Sequence, residues 1–355
     1  MKIREIFSAA AIAIRHTAAS SNKQAYLGKG LFPPKKKMGL DLKWIKTSKG
    51  LPVSLAPSSF DAKSTLRSRS GFKMDETEMA FFRESINVKE ADEQEIMRVQ
   101  DSKDPYAKEV IDRIYDDAEN LIAGAEVVPE RMIMQLLAAS DGSPKISIQA
   151  NGATYAYNYD PNGSYKTNNF VELQGTSKWS DTENSDPLAD TENAQGAVED
   201  VTGETPSIMI VSKRTMNYLK KNAKIKSAVV SKSDSPIVFI NEKKVKALFS
   251  EELGISIIVY KKKFKDDTGN AQQFYPDGFA TLIPEGTLGN TWYGCTPEER
   301  TGMSDENADV KVLGDTGITV MVTTTHDPEQ TKTTVSEIVL PSFERMDETY
   351  QIKCY

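Results

Sequence analysis

Two rhythms of apolar residues divide this chain. From Asp104 onward, Ala107, Val110, Ile111, Ile114, Ala118, Leu121, Ile122 and Ala125 recur at three- and four-residue steps, and the stripe continues in phase through Val128, Met132 and Leu136. Such spacing places them on one face of a helix. Asp104 suits the N-cap, Pro105 the first helical position and Ser140-Asp141-Gly142 the end. Unbroken, this helix would be about 50 Å long. Pro129 has no N–H to give to the ladder, which predicts a bend near Gly124 and Ala125. After Pro144 the period becomes two: Ile146 and Ile148, then Asn151-Gly152, then Thr154, Tyr155 and Tyr157 read as a β-hairpin. Beyond it, the pattern predicts a polar helix from Pro187 to about Val201, a buried strand at Ile208 to Val211 and a helix at Lys213 to Lys221. It then predicts a helix from Asn241 to Leu253 stopped by Gly254, and strands at Ile255 to Tyr260 and Phe279 to Ile283, with residues 267–270 as a turn. Three strand candidates close the chain, Ile318 to Thr325, Thr333 to Leu340 and Thr349 to Ile352, divided by Asp327-Pro328 and Pro341. Helices and strands in mixed order predict an α+β fold.

Ahead of the long helix lie two segments of another kind. Ile3, Ile6, Phe7, Ala10, Ala11 and Ile14 fall on one helical face, flanked by Lys2, Arg4, Arg15 and His16. The apolar run is short, Arg4 and Glu5 sit against it, and Ala18 to Ser21 is a weak cleavage site, so a docking helix is favoured over a targeting peptide. Between Leu31 and Ser70, apolar and polar residues alternate around Leu40, Leu42, Trp44 and Ile45, and again around Leu51, Val53 and Leu55, with Lys49-Gly50 as a turn. Pro33, Pro34, Pro52 and Pro57 interrupt these runs. Strand signals broken by proline, with little to bury, predict an extended, edge-like hairpin. Such an element folds poorly alone and needs a partner.

Composition narrows the classes. A chain of 355 residues fits roughly two domains, and 39% hydrophobic residues supports an ordinary core. A net charge of -7 argues against a dedicated nucleic-acid clamp. Cys295 and Cys354 form neither a metal spacing nor a disulfide framework, which suits a reducing cytoplasm. No stretch reaches the roughly 18 apolar residues of a membrane span. Charge is unevenly spread. Lys2 to Lys73 is basic, with Lys35, Lys36 and Lys37 adjacent and Arg67 and Arg69 behind them. From Asp75 to Glu95 the sign reverses through Glu76, Glu78, Glu84, Glu90, Asp92 and Glu93, and Asp181 to Glu204 is a second acidic stretch. Solvated loops of random sign are one reading. The other lays a basic arm of one subunit on an acidic surface of its neighbour, because complementary fields fix register between partners. That reading makes Lys35, Lys36, Lys37, Trp44, Arg67, Arg69, Glu76 and Glu78 the expected interface residues, and Gly124 and Pro129 the expected hinge.

The search for chemistry turns up little. His16 and His326 are the two histidines, and His326 beside Asp327 could be a base with its orienting acid. No G-x-S-x-G, Walker A, G-x-G-x-x-G, H-E-x-x-H or calcium-loop motif accompanies it. Asp305, Glu306 and Asp309 lack coordination spacing and read as a solvated loop. Trp44, Trp179 and Trp292 are scattered, and packing explains each. No cofactor or metal is implied, and an enzyme built on His326 and Asp327 is the minor alternative.

Several short stretches carry a family resemblance. They are Gly30-Leu31-Phe32-Pro33-Pro34-Lys35-Lys36-Lys37 with Leu42-Lys43-Trp44-Ile45, Gly175-Thr176-Ser177-Lys178-Trp179-Ser180-Asp181, and Phe274-Tyr275-Pro276-Asp277 with Leu288-Gly289-Asn290-Thr291 and Tyr293-Gly294-Cys295. Val322-Thr323-Thr324 with Asp327-Pro328 adds a fourth. Together with the order of basic arm, proline-bearing hairpin, very long helix, hairpin, mixed block and terminal strands, they resemble the major capsid proteins of tailed phages over nearly the whole chain. The wording is similar to the lambda-type branch, phage major capsid protein E, with the Hong-Kong-97-like fold. The resemblance implies an N-terminal arm (1–30), an extended loop reaching over a neighbouring subunit (31–95) and a peripheral domain with spine helix and hairpin (96–170). An axial domain (171–310) and terminal strands returning to both domains (311–355) complete it. It further implies a structural, non-enzymatic protein that self-assembles into the hexamers and pentamers of an icosahedral head enclosing double-stranded DNA, in the bacterial host cytoplasm. The implied partners are other copies of the chain, a portal, in some heads a decoration protein, and DNA through non-specific contact. No room precedes Leu31 for a long scaffolding extension, so a separate scaffold protein is expected, and no membrane. Some relatives crosslink subunits through a lysine–asparagine bond assisted by a buried glutamate. Glu337, in a terminal strand, would suit that place, but the lambda-type branch does not generally crosslink, and no catalytic role is assigned. An encapsulin-type nanocompartment shares the fold and is the alternative, distinguished by protein cargo in place of DNA.

Overall fold

The computed structural model describes residues 8–20, 25–45, 74–88, 94, 106–150, 153–231, 240–266, 268–314, 316–326 and 329–355. In chain order the first elements are α1 (Ala9–Ser20), the short α2 (Leu27–Leu31) and the strands β1 (Pro34–Lys36), β2 (Asp41–Ile45), β3 (Met74–Glu78) and β4 (Ala80–Val88). Then come α3 (Tyr106–Leu137), the hairpin β5 (Lys145–Ala150) and β6 (Ala153–Asn158), α4 (Ser164–Asn168) and β7 (Phe170–Glu172). A mixed block follows: α5 (Pro187–Thr202), β8 (Ile208–Ser212), α6 (Lys213–Lys221), α7 (Ala223–Ser231), α8 (Glu242–Leu253), β9 (Ser256–Tyr260), β10 (Lys263–Lys265), β11 (Ala271–Gln273) and β12 (Phe279–Ile283). The chain closes with β13 (Gly289–Tyr293), α9 (Pro297–Ser304), β14 (Asp309–Leu313), β15 (Ile318–His326), β16 (Glu329–Phe343) and β17 (Tyr350–Lys353).

These elements sort into two compact units. One draws on Met1–Lys43, Glu76–Arg131 and Gly289–Ser342, the other on Trp44–Asp75, Met132–Leu288 and Phe343–Tyr355. The second unit is built on a sheet ordered β7-β17-β12-β8-β9. β8 and β9 run parallel, which requires a crossover, and α6, α7 and α8 supply it. Its core joins Met209 and Val211 of β8, Ala280 and Leu282 of β12, Met216 and Leu219 of α6, and Val245, Leu248 and Phe249 of α8 around the fully buried Trp179. The helices start where a short polar side chain can accept from an otherwise unpaired N–H. Asp186 accepts from Ala189, Ser212 from Thr215 and Asn241 from Lys244, and Gly254 closes α8 at a left-handed φ of 66°. In the hairpin, Ala150 pairs with Ala153, so the loop is the two-residue Asn151-Gly152, which lies outside the described residues.

The first unit is built on a six-stranded sheet in which the 15-residue β16 is shared. β15 lies along one side of it, antiparallel from Thr319↔Ser336 to His326↔Glu329, and β4 pairs with it from Val339↔Ala80 to Thr331↔Val88. β13 joins further along, the Gly294 N–H donating to Ile338 O at 2.8 Å, and β1 runs parallel to β13. One face of this sheet carries Ile318, Val320, Val322 and Val335, packed under Ala118 and Ile122 of α3 and Ala9, Ile12 and Ala13 of α1. α9 lies against β14 and β15, so close that a Cβ on Gly302 would come within 2.9 Å of Val310.

Several expectations need correction. The face of α1 that is buried is Ala9, Ile12, Ala13 and His16, whereas Ile14 is 71% exposed and Ala10 is exposed. The buried positions follow a 9-12-13-16 spacing, a helical stripe offset from the expected one, with Ile12 buried between two alanines and the histidine. Asp309 is no solvated loop residue: it opens β14, and its carboxylate accepts from the Ala9 N–H at 3.0 and 3.2 Å, capping α1. Pro341 does not divide strands, since β16 runs on to Phe343. By Pro341 the strand is past its last paired positions with β15 (Ser336) and β4 (Val339), so those two strands require no N–H there. The acidic stretch after Asp75 forms strands β3 and β4 through Val88. The long helix, by contrast, is as its apolar stripe predicts: α3 spans 32 residues with Pro129 inside it.

Candidate assembly site

The residues expected at a subunit interface are spread along the basic arm and its continuation. Lys35, Lys36 and Lys37 lie on and just after β1. The Lys35 ammonium sits 5.6 Å from the centre of the Trp292 ring, a cation–π distance, and Lys37 Nζ donates to Asp41 O at 2.8 Å. Lys36 Nζ pairs with Glu299 of α9 in the same chain. Trp44 stands on β2 and Glu76 on β3, Glu78 is exposed at the end of β3, and Arg67 and Arg69 lie outside the described residues. Gly124 and Pro129 are both in α3, Gly124 exposed and Pro129 half-buried. His326 ends β15, and Asp327 lies outside the described residues.

Sequence reasoning missed the acidic residues that organise this region. Thr296-Pro297-Glu298-Glu299 is a helix start with proline at the first position and a threonine cap, and the Thr296 hydroxyl accepts from the Glu299 N–H at 3.2 Å. That T-x-x-E spacing is a capping-box signature, and it was readable. Thr296 also donates to the Thr319 hydroxyl on β15 at 3.1 Å, which fixes the helix start on the sheet. Both glutamates are buried at the positive end of α9, where carboxylates are favoured. Glu298 accepts from Arg83 Nη1 of β4 at 3.1 Å and from the Ser336 hydroxyl of β16 at 2.7 Å. Burial pushes its carboxyl upward, but the Ser336 and Arg83 hydrogen bonds prevail and hold it below its ordinary value. Beside this cluster the open face of the sheet forms a polar groove of about 350 Å³, lined by Arg83, Glu84, Met321, Thr323, Lys332 and Thr334 among others.

On the opposite face a second group of acids meets. Glu337 follows Val335 by two positions on β16, so it points toward the helices. It is completely buried, and neither carboxyl oxygen has a hydrogen-bond partner among the described residues. Burial first, and the Glu126 carboxylate second, push its carboxyl well above the ordinary value, toward the neutral, protonated acid. Glu126 in turn lies 3.3 Å from His16 Nε2, and the buried Tyr293 hydroxyl is pushed up by burial, then by Glu337 and Glu126. Nearby, Arg15 of α1 reaches three acids of α3, Asp112 at 2.8 Å, Glu119 at 3.0 Å and Asp116 at 3.7 Å. Among the described residues, no group of three or more His, Cys, Asp or Glu could hold a metal ion, and no helix is long and apolar enough to cross a membrane.

This arrangement holds elements together, and comparison with known proteins gives it a context. A family model described as phage major capsid protein E matches residues 10–354. No curated protein matches the sequence. Among solved structures, the fold is similar to that of a phage-related protein from Bordetella bronchiseptica RB50, at 17% identity and a TM-score of 0.58, over 96% of this chain and 95% of that one. A protein described as a prophage capsid protein from E. coli CFT073 is similar at 15% identity and a TM-score of 0.58, over 98% of this chain and 99% of that one. The capsid protein of cyanophage A-1(L) is similar at 11% identity and a TM-score of 0.50, over 92% and 91%.

Proposed function

Because the chain belongs to the phage major capsid protein E family, we propose that it tiles with copies of itself, as hexamers and pentamers, into an icosahedral head that encloses double-stranded DNA. Membership makes it a capsid shell protein of the virion, with the Hong-Kong-97-like fold, in a family of structural proteins. The finer reading rests chiefly on one observation: the family match spans residues 10–354, the basic arm and both units included. In this reading the unit carrying β16 and most of α3 serves as the peripheral domain, the unit carrying the β12 sheet serves as the axial domain, and the part of residues 31–95 that lies between β1 and β4 reaches over a neighbour.

The physics is that of heterologous contacts, in which a head-to-tail interface with the right rotation closes into a ring. Permanent interfaces of this kind bury on the order of 2,000 Å² or more. Segments whose sequence offers little to bury supply that area, and Lys35, Lys37, Trp44, Arg67, Arg69, Glu76 and Glu78 are the residues assigned to it. Assembly takes place in the host cytoplasm with a separate scaffold protein and a portal. With a net charge of -7 the shell holds DNA by weak, non-specific contact. Electron microscopy of the purified, concentrated protein tests this reading. Closed shells or capsomers are expected, and nuclease-protected DNA in particles from infected cells separates a phage head from a cargo-loaded nanocompartment. A protein that stays a compact, inert monomer at every concentration overturns it.

A further inference from the structure

We propose that the adjacent buried glutamates Glu298 and Glu299 are a two-pronged clamp that fixes the roots of the extended loop and thereby sets the direction in which that loop leaves its own subunit. This rests on the shell-forming reading above and adds to it the positioning residues. Lys36 and Arg83 lie on either side of residues 46–73 in the sequence, one on β1 and the other on β4. They nevertheless end on neighbouring carboxylates at the first turn of one helix, Lys36 on Glu299 and Arg83 on Glu298.

The burial of the four groups is unequal, and that decides what the pairs do. The side chains of Glu298 and Glu299 are 7% and 5% exposed, those of Arg83 and Lys36 54% and 38%. Exposed ion pairs hold geometry weakly. Here the cations reach in from solvent to acids that have left it, so moving either root away strands a buried carboxylate. One oxygen of Glu299 already lacks a hydrogen-bond partner among the described residues, so Lys36 is its main compensation. α9 itself cannot yield easily, because Thr296 bonds to Thr319 and Gly302 lies against Val310. A rigid anchor holding both roots of a loop restricts its exit direction, and that direction selects which neighbour it meets.

The test uses the full-length chain. Glu298→Gln/Glu299→Gln keeps shape and the Ser336 contact while removing both charges. The expected result is a thermal midpoint within a few degrees of the parent, amide exchange in 35–37 and 80–88 faster by tenfold or more, and shells that need about tenfold more protein or close at irregular sizes. Lys36→Met should show the same assembly defect, and Lys36→Arg, which keeps the charge, should not. If the double variant melts far below the parent, Glu299→Gln alone and the Lys36 pair give the same readings. Variants that form parent-sized shells at the parent concentration, with unchanged exchange, overturn the clamp and leave the shell reading intact. Failure of the parent chain itself to form shells overturns the reading beneath both.

Discussion

At the scale of single residues, Glu337 offers the sharpest test. Its folded pKa lies well above the ordinary 4.5, whereas the unfolded carboxyl ionises near that value. Between the two, the native state binds more protons than the unfolded state, so stability falls as pH rises above about 4.5. Each such proton contributes up to about 1.4 kcal/mol per pH unit. Glu337→Gln removes the titration and leaves a buried amide much like the protonated acid. Denaturation of the unassembled protein at pH 5 should find the two chains within about 1 kcal/mol, and at pH 8 the variant should be the more stable. An equal offset at both pH values would show that the carboxyl is not held protonated. Glu126, itself paired with His16, and Tyr293 interact electrostatically with the group, and Glu126→Gln should lessen the effect by removing the second cause. The sequence pointed to Glu337 through the resemblance, but its isolation could not be read, because whether a strand residue finds a partner depends on the helix laid across that strand.

At the scale of elements, α3 is where sequence and structure agree most and where a proline asks a question. Pro129 cannot donate to the carbonyl of Ala125, yet α3 runs unbroken from Tyr106 to Leu137. Its last carbonyls are taken up by the Gln351 amide, at 2.8 Å to Leu136 O, and by the Thr281 hydroxyl, at 2.5 Å to Leu137 O. Interior proline typically costs about 3 kcal/mol in a helix. Pro129→Ala should therefore stabilise the unassembled protein by about 1–3 kcal/mol. If Pro129 and Gly124 form the hinge used when heads expand, the same variant should give heads that expand slowly or incompletely on DNA packaging. Normal heads with an unchanged helix shape would remove the hinge. Strongly periodic elements such as α3, α5, α8 and the β5–β6 hairpin were legible because their caps and turn residues are local: Pro187, Asn241, Gly254 and Asn151-Gly152 each mark a boundary by themselves. α1 was legible as a helix but not in its facing, because the stripes through Ile12 and through Ile14 are both apolar and only the sheet beneath decides between them. β4 and β14 were not legible, since their charged residues are matched across space by Glu298 and by the α1 N-terminus.

At the scale of the whole molecule, charge is segregated along the chain. Residues 1–73 carry 15 Lys and Arg against 3 Asp and Glu, so a total of -7 leaves residues 74–355 at -19. Within one chain part of this difference is already used, as in the Arg15 contacts to α3 and the Lys36 contact to Glu299. If copies are arranged head to tail as proposed, the remaining positive arm of one would meet the negative surface of the next, which would lower the energy of the ring and disfavour like-to-like contacts. Salt separates this from assembly driven by apolar burial alone. The screening length falls from about 10 Å at 0.1 M to about 3 Å at 1 M, which weakens exposed charge pairs and leaves apolar contacts intact or strengthened. The protein concentration at which shells first appear should therefore rise several-fold between about 0.05 M and 0.5 M sodium chloride. Lys35→Gln/Lys37→Gln, which leaves the Lys36 clamp in place, should flatten that dependence while the monomer keeps its stability. A concentration threshold that stays level or falls with salt would assign the shell to its apolar contacts and leave the basic arm without an electrostatic role.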